Sequence, residues 1–113
     1  SPIVLNNYAY HLSVQAKELE RALEFSKKAV EAVPENGPYL DTLGWIYYQM
    51  GDYQQAKDYI QHALEQSPGA AEVIEHLGDV YEKLGDQALA EKLWLQAFEL
   101  DDRRSRLREK LGR

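Results

Sequence analysis

Leu43, Ile46, Tyr47 and Met50 recur at intervals of three and four, the spacing that puts apolar side chains on one face of a helix. Gly51-Asp52 interrupts that run, and glycine suits the left-handed geometry of a helix C-terminus. Tyr53, Ala56, Tyr59, Ile60, Ala63 and Leu64 then predict a second helix, which ends at Ser67-Pro68-Gly69. The whole unit recurs. Laying 37–70 over 71–104 puts Leu43 on Leu77, Gly44 on Gly78, Tyr47 on Tyr81, Gly51 on Gly85, Asp52 on Asp86, Ala56 on Ala90 and Ala63 on Ala97. The same step backwards puts Ala22 on Ala56, Ala29 on Ala63 and Pro34 on Pro68. A fixed period of this length is the mark of a stacked helical repeat.

The small residues have a steric purpose. Ala9, Gly44 and Gly78, facing Ala56 and Ala63, let antiparallel helices approach closely while larger neighbours fill the gaps. Trp94 occupies a large-residue core slot of a second helix. The first unit departs from the pattern: it has one extra residue between its helices, and Gln15-Ala16-Lys17-Glu18 where Gly-Asp is expected, so its turn should differ. The third unit ends in Asp101-Asp102 instead of proline. After it, Asp102 is a candidate N-cap for a seventh helix over 103–113. Leu107 and Leu111, four apart, would seal the end of the stack and leave the arginines on a solvated outer face.

Tyr39-Leu40-Asp41-Thr42-Leu43-Gly44-Trp45 through Pro68, and Val73 through Leu100, resemble the tetratricopeptide repeat. The resemblance covers nearly the whole chain and implies an all-α, right-handed superhelix. It would contain three antiparallel helix pairs (about 3–36, 37–70 and 71–102) and a capping helix at 103–113. In this family the concave groove is lined by the first helix of each pair. The matching positions are Asn6, Tyr10, Ser13 and Val14; Asp41, Trp45, Tyr48 and Gln49; and Glu72, Glu75, Asp79, Glu82 and Lys83. Members that bind chaperone tails clamp a C-terminal carboxylate with lysine, asparagine and arginine. Here Asn6 alone matches, while Tyr10, Asp41, Glu72 and His76 fill the other positions, so an acidic tail would be repelled. The opening Leu-Asn-Asn-Tyr-Ala-Tyr, with Tyr-Leu-Asp-Thr-Leu-Gly-Trp after it, also resembles the C-terminal part of long bacterial repeat proteins. That resemblance implies the periplasm or outer membrane of a bacterium, with the cytoplasm as the alternative, and a piece of a longer array.

Tyr10, Trp45 and Tyr48 are surplus to the repeat's own packing slots, and aromatic side chains of this kind make peptide-binding hot spots. The alternative is that Trp45 and Tyr10 only pack on each other between repeats. Glu72, Glu75, Asp79 and Glu82 share one face at helical spacing. Such a wall either is an ordinary solvated face or favours a partner bearing lysine or arginine. The expected partner is therefore a protein or peptide, basic or aromatic. Self-association into a homodimer through exposed terminal helices is the competing expectation.

Charge sharpens this picture. The net charge of -6 divides into +5 over residues 103–113 and -11 over the rest, two surfaces of opposite sign. An acidic body repels phosphate, which argues against nucleic acid. With no cysteine, disulfides and thiolate metal sites are excluded, and no apolar run reaches the roughly 18 residues of a membrane helix. His11, His62 and His76 lie on separate helices, and Glu72 with His76, four apart, makes only a weak metal pair. Glu75 and Asp79, read as open to solvent, lack the burial that acid–base work requires. No phosphate-binding glycine loop and no paired nucleophile are present, so the chain is expected to have no catalytic residues and no cofactor.

Overall fold

The computed structural model describes residues 1–112; Arg113, the last residue of the expected capping segment, lies outside the described residues. Among the described residues seven helices follow one another: α1 Pro2–Val14, α2 Leu19–Ala32, α3 Gly37–Gln49, α4 Tyr53–Gln66, α5 Ala71–Lys83, α6 Gln87–Leu100 and α7 Ser105–Lys110. Polar side chains start three of them. Asn36, Asp52 and Asp86 each accept a hydrogen bond from the backbone N–H three residues on, satisfying a donor that has no partner inside the helix. Gly51 and Gly85 follow the C-terminal caps of α3 and α5 with φ of +86° and +93°, which glycine adopts without a Cβ penalty.

Helices α1, α3 and α5 each pack antiparallel on the helix that follows, and the second and third pairs stack on the pair before them. The close approach predicted for the small residues is present. A Cβ on Gly44 would stand 2.5 Å from Ile60, and one on Gly78 would stand 2.5 Å from the Trp94 indole nitrogen. The core runs between the layers through Leu40, Ile60, Val73, Leu77 and Val80, then continues through Ile74, Trp94 and Leu107.

The first inter-helix turn differs from the other two. Ala16 and Glu18 both take left-handed φ values, +53° and +47°, because the extra residue must be accommodated without a glycine. The seventh helix also departs from expectation. Asp102 does not cap it: the helix begins at Ser105, after Arg104. Asp101 accepts instead from the Arg103 backbone N–H and guanidinium, forming a local turn before the helix. Leu107 is fully buried and Leu111 packs beside it, so the end of the stack is sealed as expected.

Candidate functional site

The odd-numbered helices α1, α3 and α5 lie side by side on one face of the stack, with α7 packed on α6 at one end. Trp45 is the centre of this face. Its indole stacks on Tyr48 at 4.4 Å and on the His76 imidazole at 4.0 Å, both nearly parallel. Tyr48 in turn meets Tyr53 edge-on. The stacking partners of Trp45 thus come from its own helix and from the next repeat. Tyr10 contributes differently: it lines, with Trp45, Gln49, Glu72 and His76, a cavity of about 310 Å³ that Arg104 and Arg106 border. A second cavity of about 330 Å³ lies on the other side of Trp45, bounded by Tyr48, Asp79, Glu82, Arg106 and Lys110. Burial pushes the Tyr48 hydroxyl up to about 12, with Asp79, Tyr53 and Glu82 adding to it. Burial also raises Tyr10, followed by the charges of Glu72 and Asp41. Both phenols therefore remain hydrogen-bond donors through the physiological range.

The acidic wall is not open. Glu75 and Asp79 are only 2% and 7% exposed, contrary to the expectation that both face solvent. Glu75 accepts from the Arg104 guanidinium and, at 3.0 Å, from the Lys110 ammonium. Asp79 accepts from Lys110 at 2.6 Å and from the Trp94 indole N–H at 3.0 Å. Burial would raise the Glu75 carboxyl, but the hydrogen bonds and charges of Arg104 and Lys110 outweigh it and hold the group low. The basic face of α7 was expected to point outward. Arg104 and Lys110 turn inward because two carboxylates in a nearly dry site need counter-charges. Arg108 stays outside, over the Phe98 ring. Glu82 and Lys83 are exposed, and Glu72 is partly so.

Of a second cluster only the Glu72–His76 pair was visible in the sequence; Asp41 completes it. His76 Nδ1 lies 3.0 Å from both carboxylate oxygens of Asp41, and both residues are buried. Burial alone would lower the imidazole pKa, but Asp41, with Glu72 and Asp79 behind it, raises it overall. The histidines are scattered in sequence, yet this one is placed with two carboxylates. Asp41 and His76 lie one position more than a repeat apart, and that spacing was the available clue. In the first repeat, Asn6 is buried and its Oδ1 has no hydrogen-bond partner among the described residues. Ser13 is buried and donates to the Tyr10 carbonyl. Val14 is exposed.

Known proteins carry the same architecture. The solved structure of YrrB, described as a TPR protein with an unusual peptide-binding site, is 31% identical with a TM-score of 0.82, covering 99% of this chain and 57% of that one. The first TPR of Spaghetti (RPAP3), bound to an HSP90 peptide, superposes with a TM-score of 0.88 over 98% of this chain and 87% of that one. Its identity is 16%, so it shows the fold alone. Among curated proteins, the BBSome complex member BBS4 of Bos taurus is 53% identical over 38 residues, which is 34% of this chain and 7% of that protein. These matches do not support the narrower resemblance to long bacterial repeat proteins. Family models for the tetratricopeptide repeat match residues 37–70 and 71–104, together more than half of the sequence. With three stacked helix pairs and a capping helix in the structure, the chain belongs to the tetratricopeptide repeat family.

Proposed function

We propose that this domain is a non-enzymatic adaptor that holds a peptide segment of a partner protein across Trp45. The observation that carries this reading is the partly exposed Trp45–Tyr48 stack, with a cavity on each side and Tyr10 and Gln49 at its margin. TPR domains bind peptides of partner proteins, and two of the similar structures are described by their peptide binding. A flat aromatic surface between two cavities suits an extended segment with an apolar or aromatic side chain, flanked by polar groups. The expected preference for a basic partner loses half its basis, because Glu75 and Asp79 are already neutralised from within. Glu72 and Glu82 still offer negative charge, and Arg106, which borders both cavities, sets a positive one beside them. Trp45→Ala is expected to weaken partner binding by about 2 kcal/mol or more while leaving the domain folded. Unchanged affinity in a folded variant, measured by calorimetry against a captured partner, would remove the groove assignment.

A second reading, self-association, is favoured by one feature of α1. Val4 is 64% exposed, whereas Tyr39 and Val73, at the same position in the next two repeats, are 8% and 6% exposed. Ile3, Tyr8 and Val14 are exposed as well, so α1 presents apolar surface that the later repeats cover. Sedimentation across a concentration series separates the readings: a strict monomer removes the second, and a dimer that closes the groove removes the first.

A further inference from the structure

The cluster around His76 has a property that peptide binding does not use. One donor atom each from Asp41, Glu72 and His76 lies within 4.8 Å of the others. Glu72 and His76 stand one turn apart on α5, and Asp41 faces them from α3 of the preceding repeat. We propose that Asp41, Glu72 and His76 form a binding site for a divalent first-row transition-metal ion, joining the second and third repeats at the floor of the groove. This inference is independent of the peptide reading.

The donor set argues for this class of ion. Two carboxylates and one imidazole suit Zn²⁺, Co²⁺ or Ni²⁺; calcium wants six to eight oxygens, which three side chains do not provide. Two donors each about 2.1 Å from a tetrahedral ion are about 3.4 Å apart, and the 3.0 Å between Asp41 and His76 Nδ1 is already close to that edge. Glu72 is the member that must adjust. Its side chain is 42% exposed, and its only ion-pair contact among the described residues is a long one, 3.9 Å from an Arg104 nitrogen. Arg104 is held chiefly by Glu75, so Glu72 can swing inward without breaking that pair. The charge balance fits as well: two carboxylates and a neutral imidazole cancel a dication, with the ion replacing the imidazole proton. Trp45 stacked on the imidazole fixes the ring plane, as supporting groups do for ligating histidines. The 310 Å³ cavity beside Glu72 and His76 leaves room for water at the remaining positions.

Trp45, 4.0 Å from the imidazole, is a built-in reporter. The full chain, treated with EDTA and then dialysed free of it, is titrated with Zn²⁺ by calorimetry and with Co²⁺ by tryptophan fluorescence. The expected result is one saturable Zn²⁺ site per chain and Co²⁺ quenching that EDTA reverses. His76→Gln should abolish both. Glu72→Gln, at a half-exposed position that tolerates the change, should lower affinity by at least the ~10–100-fold that changes around a metal site cost. Trp45→Phe, which keeps an aromatic ring over the imidazole, should lose most of the quenching. His62→Ala, on α4 and outside the cluster, should change nothing. The proposal is overturned if Zn²⁺ shows no saturable binding at millimolar concentration. It is equally overturned if a folded Glu72→Gln binds as tightly as the parent, or if His62→Ala removes the binding. Should His76→Gln fail to fold, the Glu72→Gln comparison decides alone.

Discussion

Replacing Arg104 and Lys110 together with methionine lowers the unfolding free energy by about 3–5 kcal/mol, the cost of leaving buried carboxylates without their counter-charges. The two cations are the ion-pair partners of Glu75 and Asp79, whose side chains are 3% and 10% exposed. Methionine keeps much of the apolar stem that each cation lays against the protein, so the loss is mainly electrostatic. For a domain whose total stability is on the order of 5–15 kcal/mol, a loss of that size brings the fold close to its limit. Adding Glu75→Gln and Asp79→Asn to the same background should recover most of it. The amides need no counter-charge, and the new asparagine's carbonyl oxygen can still accept from the Trp94 indole. Urea melts of the parent, the double variant and the quadruple variant measure both steps. A loss below about 1 kcal/mol in the double variant would mean that water reaches the carboxylates and that α7 is not their electrostatic seal.

Gly78→Val is the second large effect, with an expected loss of about 3 kcal/mol. A Cβ at this position would lie 2.5 Å from Trp94 Nε1, 2.6 Å from Cδ1 and 3.2 Å from the Ala90 carbonyl oxygen. The indole cannot easily retreat, because its N–H donates to Asp79 and the Lys110 ammonium sits over its ring at 5.5 Å. The clash therefore forces α5 and α6 apart or breaks the Asp79 hydrogen bond. Valine is a slightly better helix former than glycine, but the gain of a few tenths of a kcal/mol does not offset the overlap. Gly69→Ala is the matched control. Nothing lies within 4 Å of its Cβ and its φ is ordinary, so its melting temperature should not fall below the parent's. A tolerated Gly78→Val would show that the helix pair is looser than this packing describes.

The fold was legible because a repeat states its geometry several times over. Gly44 and Gly78 named the close helix contact, Gly51 and Gly85 the turn, and Trp94 the core slot. The first turn was also legible, since an extra residue without glycine has to strain somewhere, and it does at Ala16 and Glu18. The electrostatics were not. Periodicity assigns a face to a residue within its own helix, but says nothing about a six-residue helix that folds back across the preceding pair. Arg104 meets Glu75 across 29 positions and Lys110 meets Asp79 across 31, neither of which is a repeat spacing. The opposite charges of body and tail were visible, and treating them as complementary would have paired them. Asp41 and His76 are 35 apart, close to the period, and comparing neighbouring repeats at that offset would have shown the contact.

The strained first turn gives the array a direction. Stacked repeats share stability only with their neighbours, so a weak joint is felt locally. Two non-glycine residues at positive φ sit between α1 and α2. The opposite end is riveted by Leu107, Trp94 and the four buried or half-buried charges around Asp79. Local opening is therefore expected to start at that first turn, while the third pair with its cap holds longest. Tyr10 lies on α1, beside that weaker joint, while Trp45 stacks on His76 of the third repeat. A partner seated on Trp45 would meet a prepared surface there and a softer one beside Tyr10.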